Sequence, residues 1–283
     1  MLLRQATYFA SEMLLLAAIN QPKREAEWMI ETIAGVSRAR IYTDDEVRLD
    51  SEQEYRLRDY LERRCNGEPL QYILGTVQFR RLDLKIDNRA LIPRPETEGL
   101  VELGLGFIKD HRSPLVLDIG TGSGAITLSV VDEHPGSACI GLDISEDALT
   151  LAKENSEITA NQERVTWMQG DIFADNFDDL FECKFDLILS NPPYVSFEER
   201  ETLAPEIRNW EPEVALFSPE DGTRALRRLA QVCQAIINPK GKFACEIGEM
   251  QGHTALNIFQ KEGWEVKLEE DLNGKTRYLT ARQ

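Results

Sequence analysis

Asn191-Pro192-Pro193-Tyr194 directly follow an apolar run, Phe185-Asp-Leu-Ile-Leu-Ser190, that reads as a strand. The tetrapeptide therefore brings two hydrogen-bond acceptors and an aromatic face to a strand's carboxyl end, where open α/β sheets bind their ligands. Pro192 and Pro193 fix φ and donate no N–H, so the turn is narrow and its carbonyls are free to point outward. The Asn191 side-chain oxygen and the Pro192 carbonyl can each accept one hydrogen of a planar NH2 group while Tyr194 lies flat against the group that carries it. The lone pair of an amide or aniline nitrogen is delocalised. Two acceptors favour the pyramidal, partly positive nitrogen of an alkylation transition state, with no general base at that step. The plainer reading is a proline-rich turn that only ends a strand.

A second constellation lies upstream. Leu115-Val-Leu-Asp118 reads as a buried strand that runs into Ile119-Gly120-Thr121-Gly122-Ser123-Gly124 and then a helical stretch from Ala125. Glycines after a strand let the backbone approach a ligand, and Gly120-x-Gly122-x-x-Ala125 also satisfies a relaxed dinucleotide fingerprint. Asp118 separates the two possibilities, because a carboxylate there repels a pyrophosphate but suits a cofactor carrying an ammonium and a sulfonium. S-adenosylmethionine fits better than NAD. Ala138-Cys-Ile-Gly-Leu-Asp143 ends in an acid where a ribose-binding carboxylate is expected, the alternative being a solvated helix cap ahead of Ser145. Asp171, after the strand Val165-Thr-Trp-Met-Gln169, and the following Ile172 are placed to hold the adenine amine and face, with a capping role for Asp171 equally open.

The elements that must position these groups can be read along the chain. Residues 1–74 show helical periodicity, with Ala26-x-x-Met29-Ile30-x-x-Ile33 on one helix ending near Gly35 and residues 55–61 on another. A short extended pair, 76–79 and 82–86, lies within a connecting segment, 75–93. Strands and helices then alternate over 94–283, as in an α/β domain with a parallel sheet. In Arg94-Pro95-Glu96-Thr97-Glu98 the proline and acids suit a helix start, whereas Arg94 lies ahead of it and can line the pocket. Residues 195–221, with three prolines, read as a long irregular loop forming a substrate wall. Arg224-Ala-Leu-Arg227-Arg228 reads as a solvated helix face, and Asn273-Gly274 as the tight turn of a final hairpin.

Composition limits the function classes. At 283 residues with 42% hydrophobic content, two domains are expected. Residues 1–75 hold ten Lys/Arg against thirteen Asp/Glu, and the net charge of the whole chain is −17. Neither part is basic, which speaks against a nucleic-acid substrate and for a protein one. Five scattered cysteines without a Cys-x-x-Cys pair argue against disulfides and zinc and for a reducing cytoplasm. His111, His134 and His253 lack metal-ligand spacing, so no metal is expected. The apolar run 13–19 is short and lacks a basic leader, reading as a helix and not as a signal peptide or a membrane span.

Gly67-Glu-Pro-Leu-Gln-Tyr-Ile-Leu-Gly75, Leu91-Ile-Pro-Arg-Pro-Glu-Thr-Glu98, Asp118-Ile-Gly-Thr-Gly-Ser-Gly124, Asn191-Pro-Pro-Tyr194 and Trp210-Glu-Pro-Glu-Val-Ala-Leu216, in this order, closely resemble the release factor glutamine methyltransferases, the HemK family. The resemblance covers nearly the whole chain. It implies a small N-terminal helical domain of five helices, a connecting β-hairpin, and a seven-stranded Rossmann-like class I S-adenosylmethionine-dependent methyltransferase domain. The implied activity is methylation of the N(5) side-chain amide of the Gly-Gly-Gln glutamine in class I peptide chain release factors. Carried over by position, Gly120, Thr121, Gly122, Ser123 and Gly124 would cradle the methionine part of the cofactor and Asp143 its ribose. Asn191 would touch cofactor and substrate, and Pro192, Pro193 and Tyr194 would grip the glutamine amide. Ile172 stands where relatives often carry an aromatic residue, and Arg80-Arg81 replaces an aromatic-glycine pair of the hairpin. Two other classes share the core motifs: a ribosomal-protein glutamine methyltransferase and a nucleic-acid adenine methyltransferase. A non-enzymatic cofactor-binding or redox role would need metal ligands or a spoiled site, and the sequence shows neither.

Overall fold

The apolar spacing at the start of the chain folds into five helices, α1 (Leu3–Leu16), α2 (Pro22–Ala34), α3 (Arg38–Thr43), α4 (Ser51–Cys65) and α5 (Leu70–Leu74). A computed structural model describes residues 1–283 and divides them into two compact units, Met1–Gly75 with Pro205–Trp210, and Thr76–Ala204 with Glu211–Gln283. In the first unit Leu3, Ala6, Ala10 and Leu14 of α1 meet Ala26, Met29, Ile30 and Ile33 of α2 and Leu57 and Leu61 of α4 in one core. These positions recur at three- and four-residue intervals, which gathers them on one face of each helix. Asp50 and Gln53 form a reciprocal capping box at the start of α4, and Gly35, at φ +63°, closes α2. The run 13–19 supplies only the last turn of α1, because Ala18 adopts φ +56° just beyond it.

The second unit opens with the antiparallel pair β1 (Thr76–Phe79) and β2 (Leu82–Lys85), followed by α6 (Pro95–Ile108), β3 (Leu115–Ile119), α7 (Ala125–Glu133), β4 (Ala138–Asp143), α8 (Glu146–Ile158), β5 (Val165–Gln169) and β6 (Phe185–Ser190). After α9 (Pro205–Trp210), which packs in the first unit, come α10 (Glu213–Leu216), α11 (Arg224–Ile236), β7 (Ile237–Glu246), α12 (Gly252–Lys261), β8 (Glu265–Glu270) and β9 (Thr276–Arg282). Seven strands form one sheet in the order β5-β4-β3-β6-β7-β9-β8, parallel except for the antiparallel pairing of β9 with β7 and with β8. Side chains alternate between two cores, one on each face. On β6, Ile188 joins the α11 and α12 side, and Leu187 and Leu189 join the α6 and α7 side with the hairpin residues Phe79 and Leu84. Burial on both faces makes the central strands β3 and β6 near-continuous apolar runs.

Three expectations from sequence are corrected. Residues 195–221 are not irregular: a 3-10 turn over Phe197–Thr202, α9 and α10 fill most of the stretch. Each is too short to show a helical period, and each is started by local chemistry, the Ser196–Glu199 capping box, Pro205 and Pro212. The last hairpin has a wider turn than a two-residue one. Of Asn273 and Gly274 only the glycine has positive φ, while the Asp271 carboxylate accepts the Asn273 and Lys275 N–H groups. Arg224–Arg228 is not simply a solvated face either. Arg228 donates to the Ile172 and Ala174 carbonyls at 2.6 and 2.7 Å, and the Arg224 guanidinium lies 4.4 Å from the Phe173 ring centroid.

Candidate active site

Strand order reverses between β3 and β6, so the chain leaves these neighbours in opposite directions across the sheet and opens a crevice at their carboxyl ends. Gly120 follows β3 and Asn191 follows β6. A cavity of about 270 Å³ lies there, close to the lower end of ligand-pocket volumes. Its walls include Gly120, Thr121, Gly122 and Ser123, then Asp143 and Ile144, Asp171 to Phe173, Asn191 to Pro193, and Arg94 with Thr97. Gly124 does not line it. That glycine caps α7 at φ +83°, and a Cβ there would lie 2.8 Å from the Trp167 ring.

Asp143 is the first carboxylate of the site. Its Oδ2 accepts the Gly122 N–H at 2.9 Å and its Oδ1 accepts the Ser145 N–H at 2.9 Å, while Ser145, and not Asp143, caps α8. Each oxygen keeps a lone pair for a ligand's hydroxyl. Burial raises the Asp143 pKa against these backbone hydrogen bonds. Asp171 accepts the Phe173 N–H at 2.8 Å, and Ile144, Ile172 and Phe173 add apolar wall beside it. Phe173, just after Ile172, supplies an aromatic ring that sequence reasoning missed. Its signal was available as an apolar residue directly after the Asp171-Ile172 pair.

Asp118 does not face the cavity. It is fully buried, and its Oδ2 accepts the Thr121 and Thr127 hydroxyls at 2.6 and 2.8 Å, tying the glycine loop to the first turn of α7. Its Oδ1 has no partner, and burial pushes its pKa up to about 6. Asp118 thus lies behind the loop, where it can bear on the cavity as a charge and not by contact.

Arg94 lines the cavity with its guanidinium paired to Glu211, whose other oxygen accepts the Ile92 N–H at 3.2 Å. One buried carboxylate of the Trp210-Glu-Pro motif therefore fixes the Leu91-Ile-Pro-Arg94 segment. Pro95, Glu96 and Glu98 start α6, as their types predict. Tyr194 departs from its expected place: it is absent from the cavity wall, its hydroxyl donates to Glu246 at 3.3 Å, and its carbonyl accepts from Gln251 at 2.9 Å. Burial and the nearby Glu246 charge push the phenol pKa well up. Asn191 does face the cavity, with its Nδ2 donating to the Thr97 hydroxyl at 3.1 Å.

Two family models match the chain, the PrmC N-terminal domain over residues 5–75 and the methyltransferase small domain over residues 102–207. A release factor glutamine methyltransferase of Caulobacter vibrioides is 39% identical over 264 residues, 93% of this chain and 90% of that one. The chain belongs to the release factor glutamine methyltransferase family. A member from Deinococcus radiodurans is 32% identical over 283 residues, covering 100% of this chain and 99% of its own. Among solved structures, a methyltransferase from Pyrococcus furiosus shares the fold with a TM-score of 0.51 at 18% identity, over 82% of this chain and 98% of that one. Membership makes this chain a methyltransferase whose methyl donor is S-adenosylmethionine. The cavity fits such a donor: a loop of backbone N–H groups, a carboxylate with spare lone pairs for a diol, and an apolar and aromatic wall for a planar base. Arg80, in the turn of the hairpin, has a clear structural role. Its guanidinium pairs with Glu133 and Glu102 and donates to the Glu98 carbonyl at 2.9 Å, pinning the hairpin to α6 and α7.

Proposed function

We propose that this enzyme methylates the side-chain amide nitrogen of the glutamine in the Gly-Gly-Gln loop of class I peptide chain release factors, in a reducing cytoplasm. The observation that carries this reading is the placement of Asn191 and Pro192 on the cavity, one strand across from the Gly120 loop, in a chain whose relatives bear that activity in their names. Asn191 Oδ1 and the Pro192 carbonyl accept the two amide hydrogens, and both acceptors strengthen as the nitrogen becomes pyramidal and positive. Pro193 keeps the turn narrow, and Tyr194 holds it from behind through Glu246. Gly120 to Ser123 approach the methionine part of the donor, Asp143 takes the ribose diol, and Asp171, Ile172 and Phe173 take the adenine. The bound donor supplies an electrophilic methyl carbon on a positively charged sulfur. The chain's part is to hold the glutamine nitrogen in line and exclude water, an alignment worth roughly 7–11 kcal/mol.

The proposed division of labour has residues 1–74 recognising the release factor, 75–93 connecting, and 94–283 carrying the chemistry, with Arg94 at the substrate side of the pocket. The balance of −17 supports a protein substrate over nucleic acid. Five free cysteines, three of them buried, support a reducing compartment, and no helix is long and apolar enough to cross a membrane. The test is transfer of labelled methyl from S-adenosylmethionine to a class I release factor, a ribosomal protein and DNA, with Asn191→Ala as control. Label in the release factor, lost in the variant while donor binding persists, supports the reading. Label only in DNA or in the ribosomal protein, or full activity in Asn191→Ala, overturns it.

A further inference from the structure

Behind Asn191 lies a buried carboxylate that the proposed chemistry does not use. Glu246 ends β7 and is 1% exposed. Its Oε2 accepts the Thr97 hydroxyl at 2.7 Å and its Oε1 accepts the Tyr194 hydroxyl at 3.3 Å, while the Thr97 oxygen accepts Asn191 Nδ2 at 3.1 Å. The ends of β6 and β7 and the start of α6 thus converge on a single chain of hydrogen bonds running from Glu246 through Thr97 to Asn191.

The direction of that chain is fixed by chemistry. An ionised carboxylate accepts only, so the single hydrogen of the Thr97 hydroxyl is committed to Glu246. Toward Asn191, Thr97 then offers lone pairs alone. The amide must turn its NH2 to Thr97, which leaves Oδ1 for whatever occupies the cavity. The flipped amide would set two oxygens against each other at Thr97 and would meet a substrate NH2 with another NH2.

We propose that Glu246 is a positioning residue that, acting through Thr97, sets which end of the Asn191 amide faces the substrate. This rests on the assignment of Asn191 in the proposed function. It also accounts for placing a carboxylate where burial is costly: a neutral amide at 246 can donate to Thr97 as well as accept from it, so the chain can reverse and Asn191 loses its preferred face. Protonation of Glu246 has the same consequence, because a carboxylic acid can donate. Burial raises its pKa first of all. Of the groups facing it, Arg277 and the Thr97 and Tyr194 hydroxyls favour the ionised form and Glu96 opposes it, with Cys245 and Tyr278 adjacent and held neutral.

The experiment measures steady-state kcat, KM for a purified class I release factor, and donor affinity by calorimetry on the full chain. Glu246→Gln and Thr97→Val should each lower kcat about tenfold or more, since misaligned groups cost rate steeply, with donor affinity changed less than about twofold by the same assignment of its contacts elsewhere. Thr97→Ser should recover most of the loss. The acid limb of the kcat profile in the native enzyme should disappear in Glu246→Gln. The double variant Asn191→Ala/Glu246→Gln should be no slower than Asn191→Ala, because a glutamine at 246 still accepts the Tyr194 hydroxyl and the remaining effect passes through the Asn191 amide. Native kcat in Glu246→Gln, or additive losses in the double variant, overturns the proposal. Should Glu246→Gln fail to fold, native kcat in Thr97→Val overturns it equally. Full activity in Asn191→Ala removes the functional reading itself, a result separable from failure of the Glu246 role alone.

Discussion

The Asp143 carboxylate accepts the Gly122 backbone N–H at 2.9 Å, joining the end of β4 to the glycine loop after β3 before any ligand arrives. The acid expected to hold a ribose therefore also sets the shape of the loop expected to hold the rest of the cofactor. Asp143→Asn keeps the size of the side chain, leaves one oxygen for the two N–H groups and removes the charge. Hydrogen bonds to a charged acceptor are worth about 1.5–3 kcal/mol, so donor binding should weaken roughly 10- to 150-fold in a calorimetric titration. Unchanged affinity would show that Asp143 serves the loop alone.

Asp118 makes the stability depend on pH. Folding raises its pKa from 3.8 to about 6, so the native state holds the proton more tightly than the unfolded chain. Its contribution is fully present below the unfolded value and declines as pH rises through about 6, by about 3 kcal/mol in all. Urea unfolding of Asp118→Asn should show that slope removed, and an unaltered slope would exclude Asp118 as its source.

Arg80 stands in the hairpin turn at φ +50°, a conformation that costs an ordinary side chain about 1 kcal/mol, and its ion pairs offset that strain. Arg80→Ala keeps the strain and leaves the part-buried Glu133 only the longer Arg81 contact at 3.7 Å, which should cost about 1.5–3 kcal/mol in chemical denaturation. Arg80→Gly loses the pairs but not the conformational fit, and should be about 1 kcal/mol less damaging. The reverse order would mean that the strain is relieved elsewhere.

Arg228 holds the Ile172 and Ala174 carbonyls, and so holds the wall assigned to adenine. A lysine is a single point donor and cannot span both oxygens as the guanidinium fork does. Arg228→Lys should weaken donor binding about three- to tenfold, near the 1 kcal/mol of one lost hydrogen bond. Hydrogen exchange should show faster opening over 171–174, and native exchange there would remove Arg228 from this role.

Sequence alone was enough for the strand-glycine-helix unit at 115–125 and the proline turn that ends β6 at 191–194, because both depend on local backbone chemistry: glycines at positive φ, prolines without N–H, and apolar runs of strand length. The helical periodicity of α2 and α4 was legible for a related reason, since one side of each helix must be apolar to be buried. What the sequence left open was decided by contacts between distant residues. Thr121 and Thr127 turn Asp118 inward, and Tyr194 looked like a cavity wall until Glu246, 52 residues on, drew its hydroxyl away. Arg228 looked solvated because its acceptors are carbonyls, which every residue carries and no pattern marks. Glu246 itself gave no signal. A buried acid becomes meaningful only when the fold brings Thr97 and Asn191 within hydrogen-bond reach, since direction in a chain of hydroxyls and amides is a property of the whole chain and of none of its members.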